Sequence, residues 1–157
     1  MNEHRFQNDS VERALAVLGD YWTFLVLREA FFGVRRFSEF AANLRLSRTI
    51  LSDRLRKLVG AEIVERRPYQ SKPARFEYVL TERGKELYGH IVALMSWGDK
   101  YLAGPAGPPL VLHHRLCEHD ASAVVVCSHC GHELKADDVI ARPGPGASLA
   151  TSGHGHN

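Results

Sequence analysis

Three cysteines and a histidine lie close together late in the chain, His114, Cys117, Cys127 and Cys130, in the pattern H-x2-C-x9-C-x2-C. Two ligands separated by two residues sit on one turn. Two such pairs can therefore bring three thiolates and an imidazole to one ion, a closed tetrahedral zinc set with no position left for water. That chemistry is structural. About thirty residues with few large apolar groups need a staple of this kind to order themselves. A zinc ion is the expected cofactor, and a small zinc-ribbon-like module the expected form of residues 110–140. His113, His119 and His132 compete for the fourth ligand position. Two other readings stay open. The cysteines can sit unligated on a hairpin, or Cys127 and Cys130 can act as a redox dithiol, although such dithiols occupy a strand-to-helix turn of an α/β sheet and no such sheet is readable here. His4, His90, His154 and His156 receive no role.

A second group of residues suits recognition of a surface. From Arg48 to Val59, Leu51, Leu55 and Leu58 stand at i, i+4, i+7 and define a buried stripe, while Thr49, Ser52, Asp53, Arg56 and Lys57 fall on the opposite side. These are the side-chain types that bond to base edges in the DNA major groove, and Arg56 or Arg48 can grip a guanine. Ser47 precedes the segment as a helix cap, and Arg35 and Arg36 lie in an earlier turn. Further along, Arg66, Arg67, Lys72 and Arg75 surround PYQSKPAR, placed for phosphates or an adjacent minor groove.

Charge agrees with this placement. The chain carries a formal net charge of +2, but between Arg28 and Arg75 there are 12 Lys or Arg against 5 Asp or Glu, so that window carries +7 and the remainder −5. A basic segment inside a near-neutral chain is the footprint of a polyanion binder. No nucleophile stands beside a plausible base, no glycine-rich phosphate loop appears and no carboxylate pair stands out, so an enzyme is not expected.

The elements that must position these groups follow from periodicity and caps. VERALAVL over residues 11–18 reads as a short helix closed by Gly19, and Asp20 can cap an apolar central helix ended by Gly33. Ser38 to Leu44 forms a short helix, with Phe37, Phe40, Ala41 and Leu44 facing inward. A three-residue turn, Arg45 to Ser47, leads into the recognition segment. Strand-like runs at Ile63–Arg67 and Phe76–Leu80 predict a hairpin with a basic loop. Thr81 can cap one long helix from about Glu82 to Leu102, whose stripe of Leu87, Ile91, Leu94, Met95 and Leu102 calls for a second helix to pack on. Trp22 and Trp97 are candidates for lining an effector pocket, or core residues. GPAGPP at 104–109 reads as a linker, and residues 141–157 as a disordered tail.

The domains expected are thus 1–103 for DNA binding and dimerisation, a linker at 104–109, the metal module at 110–140 and the tail. The fold class is mainly α with a small β-hairpin: a winged helix-turn-helix with the C-terminal module appended. No apolar run is long enough to span a bilayer, the N-terminus lacks a signal-peptide pattern, and the cysteines do not form a secreted disulfide framework, so a cytoplasmic location is expected.

Residues 10–102 also resemble the HxlR-type winged-helix regulators. The stretches that carry the likeness are VERALAVLGDYWTFLVLREAFFGVRRFSEF, LSRTILSDRLRKLVGAEIVERRPYQ, FEYVLTERGKEL and ALMSWGD. The resemblance implies a homodimer built from the first and last helices, binding double-stranded DNA at an inverted-repeat operator as a transcriptional regulator, here a repressor, that answers a small-molecule effector or stress. Two positions depart from the pattern. Family members often carry a cysteine just before the first helix, where this chain has Ser10, and usually a glycine where it has Glu62. Either the recognition helix stops early at Gly60, or Glu62 adopts a positive φ at a cost of about 1 kcal/mol. The alternative function is a thiol-sensing protein-interaction adaptor built on the same winged helix.

Overall fold

The computed structural model describes residues 9–146, and within them the chain forms two compact units. The larger is Ser10–Val124; Asp9 and residues 125–146 belong to the smaller. Residues 104–109 lie inside the larger unit, which also takes in residues 110–124 of the expected C-terminal module. The part of the expected tail from 147 to 157 falls outside the described residues.

The larger unit opens with α1 (Ser10–Leu18) and α2 (Tyr21–Phe31). Asp20 caps α2 as its sequence position implies, its carboxylate accepting from the Thr23 amide at 3.0 Å. Then come α3 (Phe37–Leu44) and α4 (Arg48–Gly60), the latter capped by Ser47 Oγ, which accepts from the Ile50 amide at 3.3 Å. Val26, Leu27, Phe40, Leu51, Leu55 and Leu58 are almost fully buried and form the centre of the core, joined by Ile63, Val64 and Ile91. At the edge of the core, the half-buried Arg28 and the exposed Asn43 satisfy the buried carboxylate of Glu29: Asn43 Nδ2 donates at 2.8 Å and Arg28 Nη2 lies at 2.8 Å.

The α4 terminus decides between the two readings of Glu62. The helix runs to Gly60, Glu62 takes φ 58°, its amide donates to the Val59 carbonyl at 3.0 Å and the Ile63 amide to Leu58 at 3.0 Å. This is a Schellman ending, with buried Ile63 as its apolar anchor. Arg83 Nη1 lies 3.4 Å from the Glu62 carboxylate, an exposed pair worth little. Replacing Glu62 with Gly should therefore raise stability by about 1 kcal/mol. Urea unfolding checks it; an unchanged or lower midpoint would mean that the left-handed position carries no strain.

The hairpin is longer than its sequence runs imply. β1 (Val64–Ser71) pairs antiparallel with β2 (Ala74–Leu80), so most of PYQSKPAR is strand and only Lys72 and Pro73 form the tip. Pro68 is accommodated because the register shifts between Pro68 and Gln70, where a missing amide breaks no regular ladder. Arg35 and Arg36 extend the sheet: the Tyr78 amide donates to the Arg35 carbonyl at 2.8 Å, and Arg36 bridges Glu77.

The expected single helix over 82–102 is two helices, α5 (Glu82–Lys85) and α6 (Tyr88–Leu102). Between them the Leu87 amide bonds three residues back to the Gly84 carbonyl at 3.1 Å, a tighter turn than an α-helix makes. Gly84 is held against the hairpin: a Cβ there would stand 2.1 Å from the Ile63 carbonyl oxygen. Thr81 ties the parts together, donating to the Glu62 carbonyl at 2.7 Å and accepting from the Gly84 amide at 3.0 Å. A short hairpin, β3 (Leu112–His114) and β4 (His119–Ala121), follows in the same unit. In the smaller unit a tight turn at Cys127–Gly131 is closed by a Val126–Glu133 bridge, and a single 3-10 turn spans Ala136–Asp138.

Candidate nucleic-acid interface

Helix α4 divides its residues as its periodicity requires. Leu51, Leu55 and Leu58 are 0–1% exposed, whereas Thr49, Ser52, Asp53 and Arg56 are exposed and Lys57 is half-buried. Helix α3 precedes α4 through Arg45–Ser47, where Arg45 takes φ 52°. The second helix thus presents hydrogen-bonding side chains outward from a fixed apolar base. Asp53 Oδ1 lies 3.5 Å from Arg56 Nη1, so the pair holds Arg56 at the surface without removing it from contact with a ligand.

Next to this helix in sequence, the wing carries its own cations. Arg66 stacks over the Phe76 ring, its Cζ 3.5 Å from the ring centre, and Arg67 pairs with Glu65. Arg36 lies over Tyr69 at 5.0 Å, which links the α3 cap region to the wing through an exposed aromatic ring. Arg36 also takes part in the α3 cap, its amide donating to Glu39 Oε2 at 3.1 Å. Ser47 is committed to its cap. Arg35, Arg48, Lys72 and Arg75 are exposed.

Two residues of this surface escaped the sequence reading. Ile50 is 38% exposed on α4 and offers an apolar contact of the kind a thymine methyl accepts. Arg54 was not distinguished from its charged neighbours, yet its Nε lies 3.2 Å from Asp20 Oδ1, joining the recognition helix to the start of α2. Burial pushes the Asp20 carboxyl up, but the Thr23 amide and Arg54 outweigh it and hold its pKa below the usual value. The only sequence signal for the pair is that Arg54 adjoins the buried Leu51–Leu55–Leu58 stripe.

Trp22 packs against the core, while Trp97 is 54% exposed on α6 beside Tyr101. A shallow open groove in the larger unit is lined by Arg28, Glu29, Phe32, Met95, Asp99, Pro109 and Leu110, and its lining includes neither tryptophan. Among the described residues, no helix is long and apolar enough to cross a membrane.

The metal-ligand candidates fall in both units. In the larger, His114 Nδ1 lies 3.2 Å from Cys117 Sγ. In the smaller, the amides of Cys130 and His129 and the Cys130 side chain are directed at the Cys127 sulfur and hold its thiol pKa below the usual value. All three cysteines are free thiols, two of them exposed.

Helix, turn, outward-polar helix and hairpin, with a core beneath, define a winged helix-turn-helix regulator. The HxlR-like helix-turn-helix model matches residues 17–105, and the chain belongs to that family, one of transcriptional regulators rather than enzymes. It is 52% identical over 151 residues to the HTH-type transcriptional regulator Rv3095 of Mycobacterium tuberculosis (strain ATCC 25618 / H37Rv), itself uncharacterized, covering 95% of this chain and 96% of that one. The HTH-type transcriptional regulator YodB of Bacillus subtilis (strain 168) is 32% identical over 92 residues, 58% of this chain and 82% of YodB. Among solved structures, PA1607, assigned as a transcription factor, superposes with a TM-score of 0.78 at 34% identity, covering 88% of this chain and 97% of PA1607. The redox regulator HypR in its oxidized form gives 0.57 at 30% identity, over 61% of this chain and all of HypR.

Proposed function

We propose that this transcriptional regulator is a homodimeric repressor that binds an inverted-repeat operator, placing α4 of each protomer in a major groove. The observation that carries the reading is the division of α4, a leucine base buried to 0–1% exposure beneath an outer face of Thr49, Ser52, Asp53 and Arg56. Arg56 is the base-reading candidate, since a guanidinium on the groove-facing side can bond guanine O6 and N7 together. Lys72 at the wing tip serves phosphates. Two-fold symmetry is supported by α1 and α6, whose apolar side chains Leu15, Leu94, Trp97 and Leu102 are each more than half exposed in the single chain. Repression follows when a dimer seated on a promoter excludes polymerase.

Arg56→Ala should cost about 1–3 kcal/mol on the selected site and relax sequence preference at one position, whereas Lys72→Ala should weaken all duplexes alike. Sites selected from random duplexes supply the operator, and titration of both mutants on operator and scrambled DNA supplies the comparison. Equal losses on both DNAs for both mutants would remove α4 from the reading role.

A further inference from the structure

Between Gly33 and Pro68, among the described residues, Ile50 is the only large apolar side chain exposed to solvent, at 38%. A single exposed isoleucine on an ordinary surface calls for no explanation. This one is the third residue of α4, in its first turn, and it neither belongs to the core nor packs against it. Its place is fixed from two sides. The Ile50 amide donates to Ser47 Oγ at 3.3 Å, which holds the first turn, and Leu51 beside it is fully buried. A β-branched side chain in a helix keeps essentially one χ1 setting, so little freedom remains to be lost on contact.

The residues around it are polar or charged. Thr49 precedes it, and Asp53 and Arg54 stand one turn further on. Those two charges are engaged within the protomer: Arg54 Nη1 lies 3.6 Å from Asp53 Oδ2, and Arg54 Nε lies 3.2 Å from Asp20 Oδ1. A helix seated in the major groove turns its N-terminal residues to the base edges. The donors and acceptors of those edges offer an apolar side chain nothing to bond, and their one apolar feature is the C5 methyl group of thymine. We infer that Ile50 selects thymine, through that methyl group, at one position of each half-site. This rests on the reading of α4 proposed above and adds the base that the helix recognises without a hydrogen bond. Removing one methyl from water is worth about a factor of four in affinity, and two half-sites multiply this to about 15-fold. Such a contact ranks operators; phosphate contacts supply most of the affinity.

The test takes the full chain and the operator selected from random duplexes, and replaces each thymine in turn with uracil at the symmetry-related positions of both half-sites. Uracil keeps every hydrogen bond of thymine and lacks only the methyl. Wild type should lose about 15-fold at one such pair of positions. Ile50→Ala should bind the thymine operator more weakly by a similar factor and no longer distinguish it there from the uracil duplex. Ile50→Val keeps an apolar branch and should retain part of the difference. Any effect of the methyl on the DNA itself is common to wild type and Ile50→Ala, so it drops out of the comparison. Because no charge is removed, the salt dependence of Ile50→Ala should match wild type, and far-UV dichroism with the urea midpoint should show an intact fold. A selected half-site without thymine overturns the inference, as does a wild type indifferent to uracil at every thymine, or a thymine preference that survives whole in Ile50→Ala. If Arg56→Ala then still loses more on operator than on scrambled DNA, α4 keeps its reading role and only the part of Ile50 falls; if its losses are equal, both fall.

Discussion

Raising monovalent salt from about 50 to about 200 mM should lower operator affinity roughly 10³-fold or more. A fourfold rise in salt is about 0.6 decades, and each neutralised phosphate of a duplex contributes about 0.9 of that, so about six phosphate contacts give a little over three decades. In the proposed dimer each protomer supplies about three, and the exposed Arg48, Lys72 and Arg75 meet that number before Arg66 is considered. Several other cations are already engaged within the chain, Arg28 with Glu29, Arg54 with Asp20 and Arg67 with Glu65, and these should contribute less to the slope. Fluorescence anisotropy at a series of salt concentrations measures it. A flat response would mean that the basic surface between Arg28 and Arg75 does not engage a polyanion.

Leu94→Glu should convert the proposed dimer to a monomer and lower operator affinity by about 10²-fold or more, since two half-sites held by one rigid body bind far more tightly than either alone. Leu94 is 55% exposed on α6, in line with Trp97 and Tyr101 at 54% and 60%, and helices that leave so much apolar surface uncovered need a partner. In the dimer contact proposed above, a glutamate there would bury a carboxylate on each protomer, and the cost of burying a charge exceeds the Leu contribution it removes. The fold of the protomer should be untouched, because Leu94 is exposed and outside the core, which α6 joins through the buried Ile91. Light scattering and operator titration, with far-UV dichroism as the control, read both effects. A dimer of normal affinity would place the contact elsewhere.

Other parts of the molecule follow from short-range chemistry and are readable in the chain itself. Asp20, Ser47 and Thr81 cap the helices that begin just after them, because capping involves only the next three residues. The α4 stripe is equally local in origin. Leu51, Leu55 and Leu58 lie on one face whatever packs against them, so the outward set of Thr49, Ser52, Asp53 and Arg56 follows by exclusion. The choice between an early helix stop and a positive φ at Glu62 lay beyond local rules. It was decided by Ile63, whose burial anchors the Schellman turn, and by Thr81, which bonds the Glu62 carbonyl from nineteen residues away.

Tertiary structure alone decided several further features, each for a contact that sequence spacing does not encode. The stretch expected as one helix from Glu82 to Leu102 breaks after Lys85, where Gly84 is held against the Ile63 carbonyl. Prolines that read as loop residues sit in and at the tip of a hairpin, because the register shift beside Pro68 removes the need for its amide and pairing continues to Ser71 and Ala74. Arg35 and Arg36 read as turn residues, yet their backbone joins the wing through Tyr78 and Glu77. Arg54 reads as one more surface cation, yet Asp20, thirty-four residues earlier, draws it inward. Periodicity and caps determine which residues form each element and which side it turns to a core. The pairings between elements depend on groups distant in the chain that become neighbours only when the core closes, and those pairings set the path of the wing, the break before α6 and the attachment of the recognition helix.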